Sequence, residues 1–333
     1  MLTMKDRSFL ADSDLPLMKG EKIMVTVEQL NPQIILRILN REGTASPIIN
    51  EYNRNYITNP EALMDMFKMG RDIFNQKSLM ELLPEKAKES IRNILKIMDA
   101  LVFSPTSLKN PLFIKDYISN LGLLLEYNLM KNIQEDGDIK NLKPEEGLKG
   151  FLIKLSEELR AQGVEGNVAD KEDLQKIVQL TKFIETSIKT IENQQMINIS
   201  YKEGSGNYVL QIPILYPDGI RTGELFIETE KEGEVDTAEK RYHVVMFLNM
   251  DALGDIMVDA SLAGNKLGCL FKFDDLEAQQ FFSIFLDDLK NSISMLGYEC
   301  GLLNCMTSKT IKETKEDYHR ELFSDRCTIN VLA

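Results

Sequence analysis

Three aspartates, Asp251, Asp255 and Asp259, recur at a spacing of four. On a helix that spacing stacks carboxylates on one face, where they could hold a divalent cation or divide general acid and base work. The surrounding segment, Leu248 to Gly264, excludes that geometry. After a polar turn ending in Leu253-Gly254, Ile256, Val258, Ala260 and Leu262 alternate with Asp255, Met257, Asp259 and Ser261. A period of two describes a strand with one buried and one wet face. The aspartates therefore read as a solvated face rather than a metal cage.

Other residues capable of chemistry are scattered. The four cysteines, Cys269, Cys300, Cys305 and Cys327, include no CxxC pair, and His243 and His319 have no companion at ligand spacing. Reduced, structural thiols are the expectation. No GxxxxGK[ST] or GxGxxG run exists, and Gly204-Ser205-Gly206 reads as a loop between strands. The sequence thus predicts no enzyme, no metal and no cofactor. Asp259-Ala-Ser261-Leu-Ala-Gly264 resembles the DxSxxG half of a PilZ-type cyclic-dinucleotide receptor. The other half of that motif is a closely spaced arginine pair that clamps phosphates. Here Arg221 and Arg241 are not so spaced, and a tight turn at Ala263-Gly264-Asn265-Lys266 explains the same letters. A cyclic-dinucleotide sensor is the alternative function this leaves.

Bulk properties narrow the partners. At 333 residues, 43% hydrophobic and 27% charged, the chain is an ordinary globular protein of about two domains. A net charge of −13 repels phosphate backbones and anionic lipid, which argues against nucleic acid and membrane surfaces. No apolar run of membrane-spanning length and no secretory signal are evident, so a cytoplasmic location is expected.

The elements that must position these residues follow in order. Residues 1–40 read as short strands, a β unit too small to bury a core alone. Residues 41–59, with Gly43, Pro47 and several asparagines, read as linker. Over 60–195 the apolar spacing is helical. Leu63, Met66, Phe67, Met69 and Phe74 share a stripe; Pro84 opens a second helix, Asn110-Pro111 starts a third, and Asp170 caps the last. A compact helical bundle is predicted. From Ile197 the pattern turns to strands, beginning with Ile199 to Tyr201 and including a hairpin that turns at Tyr216-Pro217-Asp218-Gly219. One long helix follows, capped by Asp274 or Asp275, with Leu276, Phe281, Phe282, Phe285, Leu289, Ile293 and Leu296 expected inward. Leu302 to Met306 is the final strand of this domain, and 307–333 reads as a tail. The predicted class is α+β: a small N-terminal β unit, a central helical bundle, and a two-layer α+β domain over 196–306. The last has a mixed sheet and one long packing helix.

From Tyr242 to Met306 the order is strand, short turn, strand, hairpin, strand, helix, strand. At this point the chain resembles the C-terminal domain of the flagellar hook-length control protein family. That family's signature is LxPxxLGxVxVxL. Leu248, Leu253, Gly254, Ile256 and Val258 match it; Met250 stands at the proline and Ala260 at the final leucine. The matched aliphatics are core positions. Asp255, Met257, Asp259, Ser261 and Asn265 are then the candidate partner surface. The resemblance implies a non-catalytic interaction protein acting on the substrate-specificity switch of flagellar type III export. Its implied partner is the cytoplasmic domain of the export-gate switch protein, and the chain itself would be exported. The family's extended N-terminal ruler segment is not matched, and a helical bundle, rising only about 1.5 Å per residue, is a poor ruler. A domain-sharing relative with a non-flagellar scaffold role is therefore a further alternative.

Overall fold

The computed structural model describes residues 2–4, 7–13, 23–29, 34–41, 56, 59–105, 107, 110–126, 147–161, 170–202, 208–229, 241–250, 253–323 and 328–332. Most of the expected 41–59 linker, the Gly204–Gly206 triplet, Asp251 and Cys327 lie outside them. In chain order the elements begin with strands β1 (Leu2–Met4), β2 (Arg7–Ser13), β3 (Ile23–Gln29) and β4 (Ile34–Arg41). Helices follow: α1 (Ala62–Phe74), α2 (Lys77–Leu82), α3 (Glu85–Leu101), α4 (Phe113–Leu121), α5 (Gly147–Ala161) and α6 (Lys171–Lys202). Then come β5 (Tyr208–Tyr216), β6 (Gly219–Thr229), β7 (Arg241–Met250), β8 (Gly254–Ala263) and β9 (Lys266–Phe273). Last are α7 (Leu276–Ser283), α8 (Leu286–Met295), β10 (Glu299–Thr307), α9 (Ile311–Phe323) and β11 (Thr328–Leu332).

Two compact units result, Met1–Ile57 with Lys309–Ala333, and Thr58–Ser308. The first contains a five-stranded sheet in the order β1-β2-β11-β4-β3. Its middle strand comes from the stretch expected to be a tail. β11 pairs antiparallel with both β2 and β4, Val331 standing opposite Ala11 and Ile34. The N-terminal β unit thus takes its central strand from the far end of the chain.

The second unit is α+β, with a six-stranded sheet in the order β10-β9-β8-β7-β6-β5. All neighbours are antiparallel except β10, which runs parallel to β9. A parallel neighbour needs a crossover, and α7 with α8 supplies it. The expected break between bundle and sheet near residue 195 is absent from the packing. Ile91, Ile94, Leu101, Tyr117 and Leu180 from the helices share one core with Leu210, Ile212 and Leu225 from β5 and β6. Each such side chain, fully removed from water, contributes about 1.5–3 kcal/mol.

Polar contacts fix the same junction. The buried Tyr117 hydroxyl donates to the Gln211 carbonyl at 2.5 Å. Just past α3, the Phe103 amide donates to the Pro213 carbonyl and its own carbonyl accepts from Leu215. Ile199 to Tyr201, expected as strand, is the last turn of α6. The reason lies one turn earlier. Gln194 Nε2 donates to the Val209 carbonyl at 2.8 Å, and Asn198 Oδ1 accepts from the Val209 amide at 2.8 Å. These satisfy the start of β5 from a helix that must extend far enough to reach it.

Next to this junction, α4 stops at Gly122 in the left-handed region (φ 90). A Cβ there would strike Lys149 of α5, whose side chain is nearly fully buried. Lys149 Nζ donates to Glu126 and to Gln195 Oε1, and lies 3.4 Å from Glu192. Three helical segments are thus pinned by one ammonium group. Burial raises the Glu126 carboxyl, but its bonds to Lys149 and Gln195 outweigh this and leave it below the usual value.

Candidate functional site

Strand β8 is held by β7 on one side and β9 on the other, with Ile256 opposite both Leu248 and Phe273. Its entry is Gly254 at φ +69, where a Cβ would run into the Asp274 carboxylate. A positive φ and a blocked Cβ direction both demand glycine. Ile256, Phe271, Phe273, Ala278 and Cys305 form a buried cluster, with Leu248, Leu253 and Val258 packed against it. Every non-glycine member of the matched motif is therefore a packing residue.

The helical cover of that cluster departs from expectation. In place of one long helix, the chain breaks at Ile284–Phe285 between α7 and α8. Their amides donate three residues back, to Phe281 and Phe282, tightening the turn. Asp275 caps α7, accepting from the Ala278 amide at 2.9 Å. Phe282 faces the core, its ring centroid 4.8 Å from Phe271 and 5.3 Å from Phe273. Leu276, Phe281, Phe285 and Leu296, expected inward, are exposed instead. A single helical layer over the end of a sheet has room for only one inward row.

The expected partner surface divides. Asp255 accepts from Asn249 Nδ2 at 2.6 Å. Ser261 is exposed, and so is Asn265, whose carbonyl accepts from the Glu299 amide at 2.8 Å. Met257 is only 2% exposed and cannot be read by a partner. It stands opposite Phe247 of β7, which is also buried and packs edge-on against Phe226 of β6. The supposed wet face is apolar where it crosses the middle of the sheet, so alternation does not separate inside from outside there.

Asp259 is engaged by a residue the sequence left unassigned. His243 Nε2 lies 2.8 Å from Asp259 Oδ1, and its Nδ1 lies 3.0 Å from Glu228 Oε2. Burial pulls this imidazole's pKa down, but the bonds and charges of the two carboxylates prevail and hold it above the ordinary histidine value. Cross-strand spacing could have signalled the contact only once the β6-β7-β8 register was known. Both ring nitrogens are occupied, so the imidazole cannot take a proton from Ser261, which stands directly across from it in the register. The carboxylates meet opposite edges of the ring and converge on no common point. Among the described residues, no group of three or more His, Cys, Asp and Glu could hold a metal ion. Cys269, Cys300 and Cys305 are free thiols.

The sheet also separates the two arginines that a DxSxxG phosphate site would recruit. Arg241 stands opposite Ala263 at the hairpin end of the sheet, whereas Arg221 pairs with Asp218 at the turn between β5 and β6. At about 3.3 Å per residue along β6, they stand at opposite ends of the strands. Among the described residues, no helix is long and apolar enough to cross a membrane. The chain matches no family model, no curated protein and no solved structure.

Proposed function

We propose that this chain is a non-catalytic protein–protein interaction protein whose docking module is β7–β10 with α7 and α8. Its action would be on the substrate-specificity switch of flagellar type III export, as the resemblance to hook-length control proteins implies. The observation that carries the reading is Gly254. Its φ of +69 and its blocked Cβ direction give a physical reason for the Leu-Gly of the motif, at the junction where the resemblance puts it. The same module presents Ser261, Asn265 and an exposed helical face.

On this reading the protein works in the cytoplasm, meets the cytoplasmic domain of the export-gate switch protein, and is itself an export substrate. The test is biolayer interferometry of the full chain against that domain. Saturable binding is expected, weakened at least about tenfold by Ser261→Arg with Asn265→Arg. Absence of saturable binding up to roughly 100 µM would remove the flagellar partner. Calorimetric binding of cyclic di-GMP abolished by Ser261→Ala would replace the reading with a ligand sensor.

A further inference from the structure

The break between α7 and α8 leaves an apolar stripe pointing away from the core. Phe281, Ile284 and Phe285 follow one another at helical spacing around the break, and Met295 with Leu296 lies exposed at the far end of α8, beyond Asp288 and Ser292. Ile284 is 74% exposed, Met295 88% and the adjoining Leu296 71%. Phe281 and Phe285 stack edge-on, ring centroids 5.3 Å apart, which fixes the two rings against each other. A run of large apolar side chains on one helical face marks an interaction surface, whereas single exposed leucines do not.

Charge decides what fits it. Between Asp274 and Glu299 there are six acidic residues, and Lys290 is the one base. A second copy docking about a twofold axis would set Asp287 and Asp288 against their own equivalents, between chains that each carry −13. We infer that the α7–α8 stripe receives a basic amphipathic segment of another protein, apolar on one side and flanked by Lys or Arg. Its apolar side covers Ile284, Phe285 and Met295, and its cations reach Asp287 and Asp288. The inference rests on the docking role proposed above, but not on the identity of the flagellar partner.

The experiment is fluorescence anisotropy of the full chain with labelled peptides of roughly 18 residues, carrying leucine and lysine at amphipathic helical spacing. The control peptide has glutamate at each lysine. The lysine peptide is expected to bind and the glutamate peptide not. Ile284→Ser with Met295→Ser should weaken binding about tenfold, as should Asp288→Lys. Glu81→Lys, the same charge change at an exposed position on α2, should leave it unaltered. Equal binding of both peptides, no binding of either, or equal loss from Glu81→Lys overturns the inference. So does light scattering that finds a dimer dissociated by Ile284→Ser, which would make a second copy the occupant. If the lysine peptide binds while the export-gate domain does not, the surface stands and the flagellar partner falls.

Discussion

The Nε2 atom of His243 on β7 lies 2.8 Å from Oδ1 of Asp259 on β8, and the opposite ring nitrogen faces Glu228 on β6. An imidazole with a carboxylate at each nitrogen is best satisfied as the cation, donating both ways. Its folded pKa is raised, so the stabilisation is fully present below the unfolded value of about 6.5 and is lost as pH rises through the folded value. His243→Gln should therefore cost most near and just below the unfolded histidine value of about 6.5. The cost should be about 0.5–1 kcal/mol, because the site is partly solvated, and should shrink toward pH 9. Urea denaturation of both proteins across this range measures it; a gap that widens with pH would overturn the assignment.

Gly254→Ala should destabilise the Thr58–Ser308 unit by about 1–2 kcal/mol, from left-handed strain together with the collision at Asp274. The two causes are separable. In an Asp274→Ala background the steric part disappears while the conformational part, about 1 kcal/mol, remains. Thermal unfolding of the four proteins gives the answer, and complete rescue would mean that the backbone conformation is unstrained.

Lys149→Met removes the cation that joins α5 to Glu126, Gln195 and Glu192. Glu126 is 55% exposed at its side chain and can rehydrate, so the expected loss is about 1–3 kcal/mol rather than the larger penalty of a sealed pair. Adding Glu126→Gln should recover part of it. Chemical denaturation with a double-mutant cycle reads the coupling.

Tyr117→Phe tests the joint between bundle and sheet. The phenol is fully buried and burial drives its pKa upward, so it donates to Gln211 throughout the physiological range. Losing that donor leaves a buried carbonyl unsatisfied at about 1–2 kcal/mol. Hydrogen exchange should rise at Gln211 and its β5 neighbours together with α4, as one cooperative unit.

What was legible in the chain was the local pattern. The α+β class, the helical run through Ile91 and Met98, the Asp170 and Asp275 caps and the hairpin at Gly264 all follow from spacing and capping chemistry. What was not legible depended on partners distant in sequence. Ile199–Tyr201 looks like strand until Gln194 and Asn198 are seen to hold β5. Met257 looks wet until Phe247 is known to lie across from it. Phe281 and Phe285 count as core in a continuous helix and become surface once the helix breaks. The His243 contacts required the register of three strands, which no periodicity encodes.

The position of β11 between β2 and β4 has a bearing on how the protein is made. Leu10 pairs with Leu332, so β2 and β4 emerge from the ribosome long before the strand that joins them, with the whole Thr58–Ser308 unit made in between. Until β11 is made each keeps an open edge, the kind that recruits strands from other nascent chains. Closing the sheet demands a contact of very large sequence separation, which is slow. The helical and α+β unit, complete by Ser308, can fold first, and the sheet of β1–β4 must wait until β11 has been made.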